Sequence, residues 1–332
     1  MTHAPRCLQK WTGIACLCMF ALCAPLSAFA QDKPSDPPVP PEDARFVENF
    51  SAFELFLTGG VLAGGTVITI FGEDLFGAPS PSMGTPSEDS VDWRLAHWSN
   101  EGPDPNKQWL GGIPDYGGYF LPAAAIGYYG LSTVGNALSD DFFMRDHRHH
   151  MAAYGGALGW TILMTNVLKL MVGRQRPYTV RPDLNADEYK EAPKERVLSF
   201  PSGHSAATAV TMAFLSLNVS DYLIREQLNE QNSFVQLTVG RLMPAAAAAG
   251  ITWTVMYSRI KDQRHWLSDT IVGASIGTGF AALFYVMHFD EDGRPRKRFK
   301  KGEQQGLFSG ITNPSLMPTF GQANGLSLGF QF

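Results

Sequence analysis

A bundle of α-helices with a short β-hairpin at its C-terminal end is the fold class this sequence predicts, on three observations. Six apolar stretches of helix length run at about 52–72, 119–136, 151–172, 204–218, 242–257 and 267–288. Most are crowded with Ala, Gly, Leu and Thr, which suits helices that approach one another closely, and Gly273 and Gly277 stand one turn apart in the last of them. No alternation of apolar and polar residues competes until Leu326, Leu328, Phe330 and Phe332, which follow an Asn324-Gly325 turn. One hairpin cannot close a sheet, so an outer-membrane barrel is excluded.

The elements follow in order along the 332 residues. Residues 1–30 read as a secretory signal: Arg6 and Lys10 form a basic start, Trp11 to Leu26 is apolar, and Ala28-Phe29-Ala30 offers a small-x-small cleavage site. All four cysteines (Cys7, Cys16, Cys18 and Cys23) lie inside that signal, so a mature chain from Gln31 has neither a disulfide framework nor a cysteine metal site. Residues 31–45, rich in Pro, Asp and Lys, read as a linker. The helical domain is expected over 46–290, interrupted by an insert at 73–118 rich in Gly, Pro, Ser and Trp, and read as an ordered excursion over the mouth of a site, with a plain loop as the equal alternative. Residues 291–332 hold a basic run, Arg294 to Lys301, read as a solvated segment, and the terminal hairpin.

Charge narrows the function classes. The formal net charge is −5, and loss of the signal, with two basic and no acidic residues, makes it −7. A mildly acidic chain has no electrostatic footprint for nucleic acid. The run Arg145 to His150 lacks carboxylate or cysteine partners at ligand spacing, so it reads as decoration of the loop before the third helix rather than a zinc site.

Three blocks carry chemistry. Lys169 and Arg176 are seven residues apart, two helical turns, so they are expected on one face at the end of the third helix with Pro177 closing it. Two cations on one face can hold an anion. Pro201-Ser202-Gly203-His204 opens the fourth helix, where unpaired backbone N–H groups, a hydroxyl donor and a glycine that permits close approach make an anion cradle beside a histidine. Ser258-Arg259 ends the fifth helix, and His265 begins the sixth with Asp269 four residues on, placed to accept a hydrogen bond from one imidazole nitrogen and aim the other.

The eleven residues fixed in this order would coincide by chance roughly once in ten million sequences. The pattern resembles the three-part signature of the phosphatidic-acid phosphatase type 2 (PAP2) and vanadium haloperoxidase superfamily. Lys169, Arg176 and Pro177 match its first part, Pro201 to His204 its second, and Ser258, Arg259, His265 and Asp269 its third. The signature runs over 169–269 and the six-helix core over about 52–288; the insert and the tail lie outside it.

The resemblance implies a phosphoric ester hydrolase that cleaves a phosphate monoester or pyrophosphate, foremost a lipid phosphate, with no metal or other cofactor. Lys169, Arg176, Ser202, Gly203 and Arg259 would bind phosphate; His265, oriented by Asp269, would form a phosphohistidine; His204 would serve as general acid and then base. A small phosphomonoester is the other substrate class. Two rival readings are a vanadate-dependent haloperoxidase, since vanadate mimics the phosphoryl transition state, and a non-enzymatic transporter-like bundle, against which stands the lack of repeated halves. The expected location is the periplasm, soluble or membrane-associated, with a polytopic inner-membrane protein as the alternative. Six helices crossing after a cleaved signal would put the three blocks on the cytoplasmic side, and the mean hydropathy of the chain lies near zero.

Overall fold

The computed structural model describes residues 46–77, 79, 83–98, 113–136, 147–180 and 193–298. The signal, the linker and the terminal hairpin expected from the sequence lie outside the described residues. Within them the chain is all-α: α1 (Phe46–Asn49), α2 (Ala52–Phe76), α3 (Val91–Trp98), α4 (Ile113–Asn136), α5 (Arg148–Val172), α6 (Pro177–Val180), α7 (Gly203–Tyr222), α8 (Ser233–Val235), α9 (Met243–Lys261) and α10 (Leu267–His288). The six apolar stretches are the six long helices α2, α4, α5, α7, α9 and α10. A π-helical segment, Gln236–Leu242, leads into α9.

The long helices alternate in direction. The ends of α2, α5 and α9 and the starts of α4, α7 and α10 gather at one end of the bundle. The central helix is α7, packed against α10, α9, α4 and α5, whereas α2 packs chiefly against α5. Gly273 and Gly277 let α10 lie directly on the backbone of α7: a Cβ at either would strike the carbonyl oxygen of Ser202 or Ala206. The core beneath is aromatic, with Tyr129, Tyr154, Phe214, Tyr285 and Phe289 each buried. Its hydroxyls are satisfied by neighbouring helices. Tyr154 Oη meets Thr211 Oγ1 at 2.7 Å, and Tyr285 Oη donates to Asp221 Oδ2 at 2.7 Å.

The outer faces are apolar rather than charged. Phe56 is 79% exposed, Leu131 73%, Met171 70% and Val286 62%, on four different helices. Among the described residues, five segments, Ala52–Gly72, Arg148–Val180, Gly203–Gln227, Ser233–Lys261 and Leu267–His288, are long and apolar enough to cross a membrane. The mean hydropathy of the whole chain lies near zero because the polar linker and insert dilute the average.

Two local expectations change. The Arg294–Arg298 part of the basic run is only partly solvated: Arg296 and Lys297 are exposed, while Arg298 folds back on the start of the bundle. Arg298 N donates to Glu48 O at 2.8 Å, and its guanidinium reaches both Glu54 oxygens at 2.8 and 2.9 Å. His147 and His149 are buried rather than decorative, 8% and 7% exposed. The insert carries the helix α3, which packs against α10 and α9.

Candidate active site

The third helix ends sooner than the seven-residue spacing implied. Gly173 takes the left-handed conformation (φ 58°, ψ 58°) and its N–H bonds back to Lys169 O at 3.2 Å, which terminates α5 at Val172. Lys169 therefore projects from the last helical turn, while Arg176 comes from the loop beyond it. Pro177 opens α6 instead of closing α5. Arg176 is held by its own N–H to Arg196 O at 2.9 Å and by Nε to Glu195 O at 3.0 Å. Both cations still border one cavity of about 400 Å³, with Arg259, Gly203, His204 and His265 on the same walls.

Ser202 is the N-cap of α7, and its fully buried Oγ accepts from Ser205 N at 3.4 Å and from Ser205 Oγ at 3.0 Å. It stands behind the wall: Gly203 and His204 face the cavity and Ser202 does not line it. The N-terminal amides of α7 are the donors that remain for an anion. A Cβ on Gly203 would lie 3.5 Å from Lys169 Nζ, so the ammonium sits directly over that helix end. His204 packs against the edge of Tyr119 at 4.9 Å between ring centres, and a Cβ on Gly118 would come within 2.7 Å of its ring.

The pair His265 and Asp269 departs most from expectation. His265 precedes the N-cap Trp266 and is not helical, so the rule that residues four apart share a helix face does not apply to it. Its Nδ1 lies 2.8 Å from the carbonyl oxygen of Ser199, against 3.7 Å from Asp269 Oδ2. A carbonyl can only accept, so Nδ1 carries the proton and Nε2 the lone pair. Asp269 is the third residue of α10 and turns back to cap it, accepting from Trp266 N at 2.9 Å. The same carboxylate accepts from Ser199 Oγ and Arg174 Nη1, each at 2.5 Å, and the Asp269 carbonyl accepts from Ser202 N at 3.0 Å. Asp269 thus holds the peptide that holds the histidine.

Electrostatics suit a neutral imidazole. Burial pushes His265 well below the ordinary histidine range, and the positive charges of Arg176, Arg259 and Lys169 push the same way. The Ser199 hydrogen bond works in the opposite direction.

The rest of the cavity wall is mixed: Ile68 of α2, Pro122 of α4 and Leu158, Ile162 and Leu170 of α5 are apolar, and Thr69, Thr165, Asn166, Glu195 and Arg264 stand among them. Sequence reasoning missed that wall, as well as Ser199, Glu195 and Arg174. The available signal for Arg174 was its place beside the helix-ending Gly173. Ser199 acts through its carbonyl on His265 and its hydroxyl on Asp269, and a lone serine leaves no mark in the sequence.

A family model described as PAP2 superfamily matches residues 150–292. A PA-phosphatase related-family protein of Dictyostelium discoideum is 33% identical over 171 residues, 50% of this chain and 55% of that protein. Lipid phosphate phosphatase 1 of Arabidopsis thaliana is 30% identical over 169 residues, covering 44% and 48% of the two chains. Lipid phosphate phosphatase 2 of the same plant is 29% identical over 151 residues, covering 40% and 50%. The chain spans about half the length of the curated relatives it matches. No solved structure matches it. The matched segment contains Lys169, Arg176, the start of α7, Arg259, His265 and Asp269, and the chain therefore carries a PAP2 superfamily domain over residues 150–292.

Proposed function

We propose that this protein is a membrane-embedded phosphatase that cleaves the phosphate monoester or pyrophosphate of a lipid through a phosphohistidine on His265. The observation that carries the reading is one cavity bordered by Lys169, Arg176, Arg259 and Arg264, a helix N-terminus and two histidines, with apolar side chains of α2, α4 and α5 on the same lining. The charged half suits a phosphate and the apolar half suits what a lipid phosphate attaches to it. The likeness to two lipid phosphate phosphatases supports the same substrate class. At about 1.5 Å per residue a helix of α2's length reaches some 37 Å, more than the roughly 30 Å of a hydrocarbon core.

Lys169, Arg176 and Arg259 take the non-bridging oxygens, and the α7 amides at Gly203 help neutralise charge as the pentacoordinate transition state forms. His265 Nε2 attacks phosphorus. The P–O bond to the leaving group breaks as the P–N bond forms, and His204 gives its proton to the departing oxygen. Water then loses a proton to His204 and attacks phosphorus, and the P–N bond breaks to release inorganic phosphate and neutral His265. The three cations supply the charge compensation, so turnover is expected to survive EDTA.

Phosphate release from phosphatidic acid in mixed micelles tests the reading, with EDTA present and a soluble phosphomonoester for comparison. His265→Ala should lose at least about a hundredfold in turnover. Near-normal turnover by a folded His265→Ala protein would sink the mechanism. A preference for the soluble ester would remove the lipid from the proposal and leave the chemistry.

A further inference from the structure

The short helix α3 lies outside the segment that matches the PAP2 superfamily, yet it touches the catalytic loop at three points. Asp92 Oδ1 accepts from Ser268 N at 2.8 Å, and Asp92 Oδ2 accepts from Ser268 Oγ at 2.5 Å and from Arg174 Nη2 at 2.9 Å. Trp93 stacks on the fully buried Trp266, 6.0 Å between ring centres and 17° between planes. The carbonyl of Ala96 accepts from Gln263 Nε2 at 2.6 Å. Gln263 holds a left-handed backbone (φ 57°), which a residue with a side chain adopts only when its surroundings impose it.

These contacts bracket His265 on both sides. Arg174 is gripped by two carboxylates at once, Asp92 on one amine and Asp269 on the other, with its guanidinium 5.6 Å from the Trp266 ring centre. The chain of support runs from Asp92 through Arg174 and Ser268 to Asp269, from Asp269 to Ser199, and from the Ser199 carbonyl to His265 Nδ1.

We infer that α3 is a brace supplied from outside the family domain, and that Asp92 is a positioning residue that sets the angle at which His265 presents Nε2 to phosphorus. The inference rests on the reading of His265 as nucleophile. Asp92 does not line the cavity, so its loss should disturb the attack and spare phosphate binding.

Asp92→Asn in the full chain keeps the side chain's shape and removes the charge that three donors share. On phosphatidic acid in mixed micelles, kcat is expected to fall about tenfold to a hundredfold, with KM and the inhibition constant of inorganic phosphate within about twofold of the parent. Ser268→Ala should lower kcat less, and the double variant should lose less than the product of the two single effects, because both act through one chain of contacts. A parental kcat in Asp92→Asn would overturn the inference. So would equal losses in kcat, phosphate binding and thermal stability, which would make α3 a structural strap only. His265→Ala measured alongside separates the two layers: full turnover there overturns the reading beneath, and the inference with it.

Discussion

The two ends of the bundle use the same residue types to opposite effect. At the end away from the cavity, His149, His288 and Asn49 form a buried network: Asn49 Nδ2 donates to His149 Nδ1 at 3.1 Å, His288 Nδ1 donates to Asn49 Oδ1 at 3.0 Å, and His288 Nε2 lies 3.5 Å from Glu54 Oε1. Phe50 stacks on His288 at 4.1 Å, and Phe289 on His150 at 4.4 Å. At the cavity end His265 has one nitrogen tied to a peptide and the other beside open space, and His204 lies against a glycine that offers no side chain to fill it. Histidines next to arginines therefore do not mark a reactive centre by themselves. What separates the ends is whether the imidazole is packed among rings and side chains or borders a cavity that can take a ligand.

The contrast can be broken first where it is widest. His204→Ala should lower turnover at least about a hundredfold while leaving thermal stability near the parent, whereas His149→Ala should cost about 1–3 kcal/mol of stability and change turnover less than twofold. Parallel kinetic and thermal-unfolding measurements decide it, and equal kinetic loss from both would end the distinction. Between the ends, Gly277→Ala drives a methyl into the Ala206 carbonyl and should cost about 1–3 kcal/mol. Gly279→Ala meets nothing within 4 Å and should be silent in the same thermal measurement.

The finest test is of charge. Protonation of His265 would remove the Nε2 lone pair, and the folded pKa is depressed, so the neutral form should persist as pH falls through the ordinary histidine value near 6.5. The loss of activity due to this group then moves to more acidic pH. A histidine NMR titration assigned with His265→Gln should find it unprotonated at pH 6. A midpoint at or above about 6.5 would contradict the electrostatic account.

Much of this was legible beforehand. The six long helices announced themselves as apolar stretches, because each must cover a face with apolar side chains. Lys169, Arg176, Gly203, His204, Arg259 and His265 were all named from spacing, and one cavity receives them. The local geometry read from that spacing was less secure. Arg176 left its helix because a single left-handed glycine intervened, and His265 lost its helical register with Asp269 because Trp266 became the cap. Long-range partners stayed hidden for a different reason. Asn49 and His149 are 100 residues apart and Asp92 and Ser268 are 176 apart, and nothing periodic connects either pair. Polar contacts between distant segments are set by how the helices finally stack.

The way α2 leans mainly on α5 has a further implication for how this scaffold could be adapted. The side of the cavity contributed by Ile68 and Thr69 belongs to a helix that makes no hydrogen bond to the Asp92–Arg174–Asp269 chain among the described residues. On the proposed function, the share of the lining that α2 contributes can be recut for a bulkier or slimmer tail without touching that chain, whereas Leu158, Ile162 and Leu170 share α5 with Lys169 and cannot be changed so freely.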